Sequence, residues 1–375
     1  MPEVIHVAPV MFEGGTRGGG ERYPLELARA MARHVDTRFV TFGSHRRSWV
    51  EAGLDVRVVP TRMRFDHDIL NPVSERFPLE LLGGDVIHTH QYKSIVTNAS
   101  LVIGRMLRKR VFCTDHGGSA RHYADWLRLD HLLNGFLAVS KFAAGQFPKF
   151  GDRSSVIYGG VDNVRFSPLK EIARRREVLF VGRVLPHKGI DVLIEALDEA
   201  TPLHVYGPNP DLEYRAALDR LGVGKQVYFH GDASNDEIVD AYRRARVAVL
   251  PSVEKSAYGH AGPSSELLGL VLLEAMACGT PVVASALGGM PEVVRHGETG
   301  FLVSPGDAGA LRERVMTLLD DTRLWSQMSD AAVELVRAEF TWDRVAERCL
   351  DAYSGGRARS TGSTSPRAPV ARAES

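Results

Sequence analysis

The sequence predicts an α/β fold made of two doubly wound parallel sheets. Short runs rich in β-branched residues alternate with longer segments of helical apolar spacing, a pattern typical of parallel sheets covered by helices. The length of 375 residues exceeds what one ordinary core accommodates. A second series of strand-like runs begins at Val178 after a polar connector, so we expect two units of similar architecture.

The expected elements divide the chain at that connector. We assign residues 1–165 to the first unit, 176–338 to the second, and 339–354 to a helix that packs back on the first unit. Residues 355–375 are rich in Ser, Gly, Ala, Arg and Pro without periodicity, and we expect them to be disordered. The predicted strands are 4–10, 37–41, 56–59, 86–89, 110–114, 135–139 and 155–157 in the first unit, and 178–181, 202–206, 227–230, 247–250, 281–284 and 300–303 in the second.

Composition narrows the functional class. The formal net charge is zero, so nucleic-acid or anionic-membrane binding is not expected as the main activity. The three cysteines lack C-x-x-C spacing and are expected to be reduced thiols. The first residues lack the basic segment of a secretory signal, and no apolar run reaches the roughly 18 residues that span a bilayer. We therefore expect a cytoplasmic protein, with peripheral membrane contact through the basic stretch 105–110 left open.

Two carboxylates flank a predicted helix start in the second unit. Glu266 and Glu274 stand eight positions apart around Gly269, in an otherwise apolar stretch. If Gly269 opens a helix, Glu274 lies inside that helix and Glu266 lies before its N-terminus. Free backbone amides between two carboxylates suit a phosphorylated sugar, so this segment predicts a binding site.

A glycine-rich loop follows the first predicted strand. Five of the seven residues 14–20 are glycines, which allows close approach of the backbone to a ligand and places Gly19 and Gly20 before a helix. The spacing is not G-x-G-x-x-G, and no acid ends the second strand, which disfavours a dinucleotide site. A merely flexible loop is the alternative interpretation.

A pair of cations follows the first strand of the second unit. Arg183 and Lys188 are five positions apart in a loop bounded by Gly and Pro, so both can converge on one diphosphate. Arginine would supply a planar fork and lysine a mobile point charge. Taken alone, the pattern is more typical of surface charges; taken with Glu266 and Glu274, it favours an anion site.

Histidines gather near predicted strand ends. His116 precedes two glycines just past the strand 110–114, and His88 and His90 end the strand before it. Three histidines in such places raise the question of a metal site. Because no carboxylate or cysteine has ligand spacing, a metal site is not expected.

Two further segments have weaker patterns. The run Asp66-His67-Asp68 resembles a cation-binding D-x-D, but no apolar strand precedes it, so we interpret it as a solvated loop. The long loop 253–265 contains Tyr258 and His260, which are candidates for lining a sugar pocket.

Several segments together match one family. They are the glycine-rich first loop, V-I-Y-G-G-V-D at 156–162 with F-S-P at 166–168, V-G-R at 181–183 with K-G at 188–189, the stretch 240–252, and above all the segment from Glu266 through Glu274 to Pro281. On these residues the chain resembles the retaining glycosyltransferases of family 4, which adopt the GT-B fold of two Rossmann-like domains facing a cleft. The resemblance covers about residues 3–354.

The resemblance implies a catalytic set and a set of donor contacts. The implied catalytic residues are His116, Glu266, Arg183 and Lys188. The donor diphosphate would contact Arg183, Lys188, Leu268, Gly269, Leu270, Gly19 and Gly20, and Glu274 would hold the ribose hydroxyls. No metal ligand and no bound cofactor are implied.

The implied reaction moves a hexose from a nucleoside-diphosphate sugar to an acceptor hydroxyl with retained configuration. Two alternatives with the same fold stay open: a non-hydrolysing nucleotide-sugar epimerase and a nucleotide-sugar-binding protein without turnover. A pyridoxal-phosphate phosphorylase is disfavoured because no convincing Schiff-base lysine motif is present.

Overall fold

The computed structural model describes residues 3–11, 19–65, 68, 70–117, 129–169, 171–258 and 266–355. The chain forms two large sheets, and the members of each sheet lie in one continuous part of the sequence. The first sheet spans Val4 to Val156 and the second spans Arg175 to Val303.

The first sheet contains eight of the ten strands in its half of the chain. In order along the sequence these ten are β1 (Val4–Met11), β2 (Thr37–Gly43), β3 (Arg47–Glu51), β4 (Leu54–Pro60), β5 (Met63–Arg64), β6 (Pro72–Val73), β7 (Val86–His90), β8 (Arg110–Thr114), β9 (Gly135–Ala138) and β10 (Ser154–Val156). The order across the sheet is β10-β9-β8-β7-β1-β2-β4-β3, and β5 and β6 form a separate small ribbon. All pairs in the large sheet are parallel except β3 with β4.

The second sheet is parallel throughout. Its strands are β11 (Arg175–Val181), β12 (Leu203–Tyr206), β13 (Val227–Gly231), β14 (Ala245–Leu250), β15 (Val282–Ser285) and β16 (Gly300–Val303). They are arranged in the order β13-β12-β11-β14-β15-β16.

Helices connect the parallel strands, as such sheets require. The α-helices of the described residues are α1 (Gly19–Met31), α2 (Phe77–Glu80), α3 (Ile95–Met106), α4 (Lys141–Gly145), α5 (Ile190–Ala196), α6 (Leu212–Leu221), α7 (Asn235–Arg244), α8 (Leu270–Ala277), α9 (Ala308–Asp320), α10 (Thr322–Glu339) and α11 (Trp342–Tyr353). Several begin at a side-chain cap, such as Ser234, which forms a complete capping box with Glu237 before α7.

The centres of both sheets are covered on both faces. All five residues of β7 and all four of β15 are buried, as expected for central strands of doubly wound sheets. β15 consists of two valines, an alanine and a serine, whereas β7 includes His88, Thr89 and His90. Buried polar side chains in an interior strand need partners: His88 is bonded to Thr114 and Tyr353, Thr89 donates to the carbonyl of Phe112, and the partners of His90 are described below.

The last helix, α11, packs against the first unit. Tyr353 donates or accepts a hydrogen bond of 2.7 Å between its hydroxyl and Nδ1 of His88, and its carbonyl accepts one from Arg110. At the other end of the helix, the ring of Trp342 meets Tyr23 of α1 edge-on, with 4.9 Å between ring centroids. The chain thus returns from the second sheet to the first.

Three strands were not predicted from the sequence. The edge strand β3 pairs antiparallel with β4 through a tight turn in which Ala52 and Gly53 both have positive φ, 46° and 86°. The exposed and polar character of β3 hides it from a search for buried runs. The strands β5 and β6 are two residues long each, too short for any periodicity to appear.

The predicted domain limits and the predicted disordered C-terminal segment are not tested by the structure. The limits 1–165, 176–338 and 339–354 remain predictions about where domains divide. The expected disorder of 355–375 falls almost entirely outside the described residues, which end at 355. Within the described part of the chain, no helix is both long enough and apolar enough to cross a bilayer.

Candidate functional site

Each sheet has a point where the strand order reverses. In the first sheet β1 lies between β2 and β7, and in the second β11 lies between β12 and β14. The crossovers leave in opposite directions there, which opens a crevice at the carboxyl ends of the strands. The sequence-predicted site residues follow these ends: Gly19 and Gly20 open α1 after β1, His90 ends β7, His116 follows β8, Arg183 and Lys188 follow β11, and Glu266 follows β14 in the chain.

Lys188 and Glu266 form an ion pair at the reversal point of the second sheet. The Lys188 ammonium donates to Oε1 of Glu266, and each side chain is about 15% exposed. Ser252, just past β14, donates a second hydrogen bond of 3.1 Å to the same carboxylate oxygen. Burial alone would raise the pKa of Glu266, but the charge and hydrogen bond of Lys188 outweigh it and lower the pKa below its ordinary value. Glu266 is therefore an ionised, largely buried acceptor.

The helix α8 begins where the sequence predicts. Gly269 precedes it with φ of 90° and ψ of 55°, a left-handed conformation that strongly favours glycine. Glu266 lies before the helix, and its carbonyl accepts a hydrogen bond of 2.8 Å from the amide of Gly289. The first amides of a helix have no partner within it, so the stretch from Leu268 to Leu270 presents an N-terminus beside the Lys188–Glu266 pair.

Glu274 lies inside α8 and is paired with a residue of the first unit. Arg22 of α1 donates to its Oε1, and the hydroxyl of Tyr242 donates to Oε2 at 3.3 Å. The carboxylate of Glu274 raises the pKa of Arg22 above its ordinary value. The sequence did not predict contacts of Glu274 with Arg22 or Tyr242, because neither the first turn of α1 nor the stretch 240–252 indicates which side chains meet that carboxylate.

Further contacts join the two units around the same segment. Ser140 donates a hydrogen bond of 2.5 Å to the carbonyl of Leu267, and the carboxylate of Glu292 accepts from the amides of Lys141 and Phe142 at 2.8 and 2.9 Å. At Gly159, a side chain would come within 3 Å of Leu268 and Leu270. The segment before α8 therefore lies at the joint between the two units.

The other residues predicted from the sequence make fewer contacts with the site around Lys188, Glu266 and α8. Arg183 is exposed and forms no hydrogen bond or ion pair with the described residues. Gly19 and Gly20 form the first turn of α1. Tyr258 is partly exposed and meets Tyr214 edge-on at 5.3 Å. His260, Asp66 and His67 lie outside the described residues.

His116 belongs to a row of histidines in the first unit. Its Nε2 lies 3.0 Å from Nδ1 of His90, and Nε2 of His90 lies 3.2 Å from Nδ1 of His6 in β1. His88 is bonded separately, to the Thr114 hydroxyl at 2.8 Å and to Tyr353. The role of His6 was not predicted, because a histidine in the middle of a buried strand gives no sequence signal.

Burial keeps the rings of this row uncharged. It lowers the pKa of His6 and of His116 to about 3, and it lowers the pKa of His90 well below the ordinary 6.5. Neighbouring imidazoles lower the pKa of His90 further. Near neutral pH these three side chains are hydrogen-bonding groups without charge.

His6, His88 and His90 also meet the spacing of a metal site, since one nitrogen from each lies within 4.8 Å of the others. The hydrogen bonds favour a different interpretation for His6 and His90. Their ring centroids are 5.5 Å apart and their nitrogens 3.2 Å, so the nitrogens lie on the line between the rings, where the N–H of one ring points at the lone pair of the other. Lone pairs that bind one tetrahedral ion instead converge at an angle.

Two family models match consecutive parts of the chain. The model described as Glycosyltransferase Family 4 matches residues 17–165, and the one described as Glycosyl transferases group 1 matches residues 165–334. The chain belongs to glycosyltransferase family 4. The described site residues named above lie within the matched range, apart from His6 and Tyr353.

Curated proteins of family 4 match part of the chain. It is 35% identical over 229 residues to the D-inositol 3-phosphate glycosyltransferase of Corynebacterium glutamicum, which covers 54% of this chain and 52% of that protein. It is 32% identical over 237 residues to a GDP-mannose-dependent phosphatidylinositol monomannoside mannosyltransferase of Mycobacterium tuberculosis, covering 58% and 60%. The matches thus span about half the length of these curated relatives.

Solved structures match nearly the whole chain. Sucrose-phosphate synthase from Thermosynechococcus elongatus has a TM-score of 0.70 at 22% identity, over 95% of this chain and 99% of that one. HepE of Anabaena, in complex with UDP and glucose, has a TM-score of 0.71 at 19% identity, over 95% and 100%. These likenesses show the fold, and the fold is GT-B, as the sequence predicts.

Proposed function

We propose that this family-4 member transfers a hexose from a nucleoside-diphosphate sugar to an acceptor hydroxyl, with retained anomeric configuration and without a metal ion. The observation that carries the proposal is the Lys188–Glu266 pair, placed directly before the N-terminus of α8 at the joint of the two units. A cation, a carboxylate and free amides in one place suit a sugar diphosphate.

Two kinds of group would bind the donor. Lys188 and the first amides of α8 would take the diphosphate, and Arg183, exposed in the same loop, can turn toward it. Glu266 would then accept hydrogen bonds from sugar hydroxyls, and Glu274 from the ribose. In the structure Lys188 and Arg22 neutralise these two carboxylates, so donor binding exchanges protein partners for ligand partners.

The reaction we propose needs no protein nucleophile. The bond from the anomeric carbon to the diphosphate oxygen breaks, and the acceptor oxygen bonds to the same face of that carbon. The acceptor proton passes to the departing diphosphate. Fixed positive groups at Lys188, Arg183 and the α8 N-terminus stabilise the charge that develops there, which is the largest usual contribution to catalysis at such sites.

The names of similar proteins suggest which donors to test first. One relative is named for GDP-mannose, and one solved structure holds UDP and glucose. UDP-glucose and GDP-mannose are therefore the first two donors, and the acceptor is a hydroxyl compound still to be identified.

A panel of sugar nucleotides tests the proposal. Each is incubated with the protein in EDTA, with and without pooled hydroxyl acceptors, and released nucleoside diphosphate is measured. We expect release from at least one donor that is stimulated by acceptor, and a new glycoside whose anomeric proton coupling matches the donor. Release that occurs in a parallel incubation with a divalent cation but not in EDTA contradicts the metal-independent reaction.

The same panel separates the two alternatives. An epimerase would release nucleotide or convert the sugar nucleotide without any acceptor. A sensor would show a thermal shift with a donor but no release. Either result with every acceptor tested would contradict the transfer reaction while leaving the fold and the family unchanged.

A further inference from the structure

The histidine row joins the interior of the first sheet to the candidate site. His6 lies in the middle of β1 and is fully buried, His90 ends β7, and His116 follows β8. The residue after His116 approaches the second unit: a side chain at Gly117 would lie 3.3 Å from Leu267, the neighbour of Glu266. His116 is thus the end of the row that lies nearest the candidate donor site.

The links of the row are in-line hydrogen bonds. For His90 and His116 the ring centroids are 5.3 Å apart and the bonded nitrogens 3.0 Å, with 14° between the ring planes. For His6 and His90 the corresponding values are 5.5 Å, 3.2 Å and 19°. Nearly coplanar rings with their nitrogens on the connecting line are the arrangement in which one N–H points directly at the next lone pair.

A row of neutral imidazoles can be protonated in only two ways. Each neutral ring has one N–H donor and one acceptor nitrogen. If His6 donates to His90, then His90 must donate to His116; if His116 donates to His90, then His90 must donate to His6. The proton position on His116 is therefore tied to that on His6.

The buried end of the row favours one of these arrangements. Nε2 of His6 is buried and has no hydrogen-bond partner among the described residues. Among backbone groups a buried N–H without an acceptor is rarer than a buried acceptor without a donor, and we apply the same rule to the imidazole nitrogens. The favoured arrangement leaves this nitrogen bare, so Nδ1 of His6 donates to His90, and Nδ1 of His90 donates to Nε2 of His116.

We infer that His90 is a positioning residue that holds His116 in the tautomer with its proton on Nδ1. His116 then offers a hydrogen-bond donor at the end of the row, while Glu266 offers an acceptor from the opposite unit. The expected effect on turnover rests on the proposed function. A hydrogen-bond donor on one side of the site and an acceptor on the other suit the hydroxyl and ring oxygens of a sugar.

The tautomer can be measured without any substrate. The chain is labelled with ¹⁵N-histidine, and two-bond ¹H–¹⁵N correlations are recorded near pH 7.5; the signals of His116, among 14 histidines, are those lost in His116→Gln. We expect a single tautomer with Nδ1 protonated and Nε2 bare. A protonated Nε2, or a mixture of both forms, overturns the inference.

Two substitutions of His90, each with an amide in place of one ring nitrogen, test whether His90 positions His116 for turnover. The amide of asparagine occupies the place of Nδ1 and can still donate to His116, whereas that of glutamine occupies the place of Nε2 and reaches only toward His6. We expect His90→Gln to lower kcat about tenfold, the effect of losing one hydrogen bond, with a smaller change in donor KM. His90→Asn should recover most of that loss.

Other outcomes separate the two proposals. Equal losses of kcat in His90→Asn and His90→Gln would show that His90 only fills space, and would overturn the positioning role. If wild type turned over no sugar nucleotide at all, the proposed function would fail, and the NMR measurement would still decide the tautomer.

Discussion

The two sides of the joint hold their polar groups in opposite ways. On the first unit, His6, His90 and His116 are kept neutral by burial and bonded to one another. On the second, Glu266 is paired with Lys188, which lowers the pKa of its carboxyl, and Glu274 is paired with Arg22. A neutral row holds a fixed hydrogen-bonding pattern, whereas paired charges can exchange one partner for another. We therefore expect the first unit to orient the sugar of the donor and the second unit to bind its charged diphosphate.

Removing the central cation should have the largest effect. In Lys188→Ala, no ammonium remains to stabilise the departing diphosphate, so we expect kcat to fall about 10²- to 10³-fold. The measurement is turnover of the best donor at saturation, with circular dichroism to confirm the fold. Lys93→Ala, which removes an exposed lysine of the first unit, is the matched control and should keep wild-type turnover. A kcat within threefold of wild type for Lys188→Ala would remove its assigned role.

As the pH falls, the free energy of unfolding should first lose the contribution of the neutral histidines and only later that of Glu266. The folded pKa of His6 is lowered to about 3 from 6.5, so between these values the unfolded chain binds a proton that the folded chain does not, and stability is lost as pH falls below 6.5. Each such histidine contributes a slope of about 1.4 kcal/mol per pH unit. The pKa of Glu266 is lowered, so its contribution is fully present above its ordinary 4.5 and is lost only as the pH falls further.

Urea unfolding from pH 7.5 to 4.5 measures this difference. His6→Asn should reduce the slope of unfolding free energy against pH between 6.5 and 4.5. Glu266→Gln should leave that slope unchanged, and His45→Asn, at an exposed position of the first unit, is the surface control. Equal slopes for wild type and His6→Asn would mean that His6 is not held neutral.

The smallest effect on activity should come from substitution of Glu274. Glu274→Gln replaces a charged acceptor by a neutral one, so we expect the KM for donor to rise about tenfold with little change in kcat. Because Arg22 pairs with Glu274, the substitution is repeated in an Arg22→Gln background, which removes the effect of leaving the arginine unpaired. A KM change that vanishes in that background would assign Glu274 to the inter-unit pair alone.

Much of the fold could be predicted because its signals are local. The thirteen predicted strands all occur, since buried β-branched runs and their helical connections repeat along the chain. The helix opened by Gly269 and ended before β15 was predictable for the same reason, because a left-handed glycine and an apolar run mark it. The strand β3 was not, because an exposed edge strand is polar and its turn at Ala52 lacks the usual signal.

The partners within the site could not be predicted, because they come from distant parts of the chain. Arg22 and Glu274 are separated by 252 positions and Tyr353 and His88 by 265, so no spacing connects them. Sequence patterns located Lys188 and Glu266 separately, but their direct contact depends on how the loops after β11 and β14 lie at the reversal point.

We propose above all that Lys188 and the N-terminus of α8 bind the diphosphate of a sugar nucleotide. Isothermal titration calorimetry with UDP and GDP, in EDTA, tests it most directly on wild type, Lys188→Ala and Lys93→Ala. We expect one diphosphate to bind wild type and Lys93→Ala equally, and to bind Lys188→Ala at least about tenfold more weakly. Unchanged affinity in Lys188→Ala, or no binding of either diphosphate to wild type, would contradict the account.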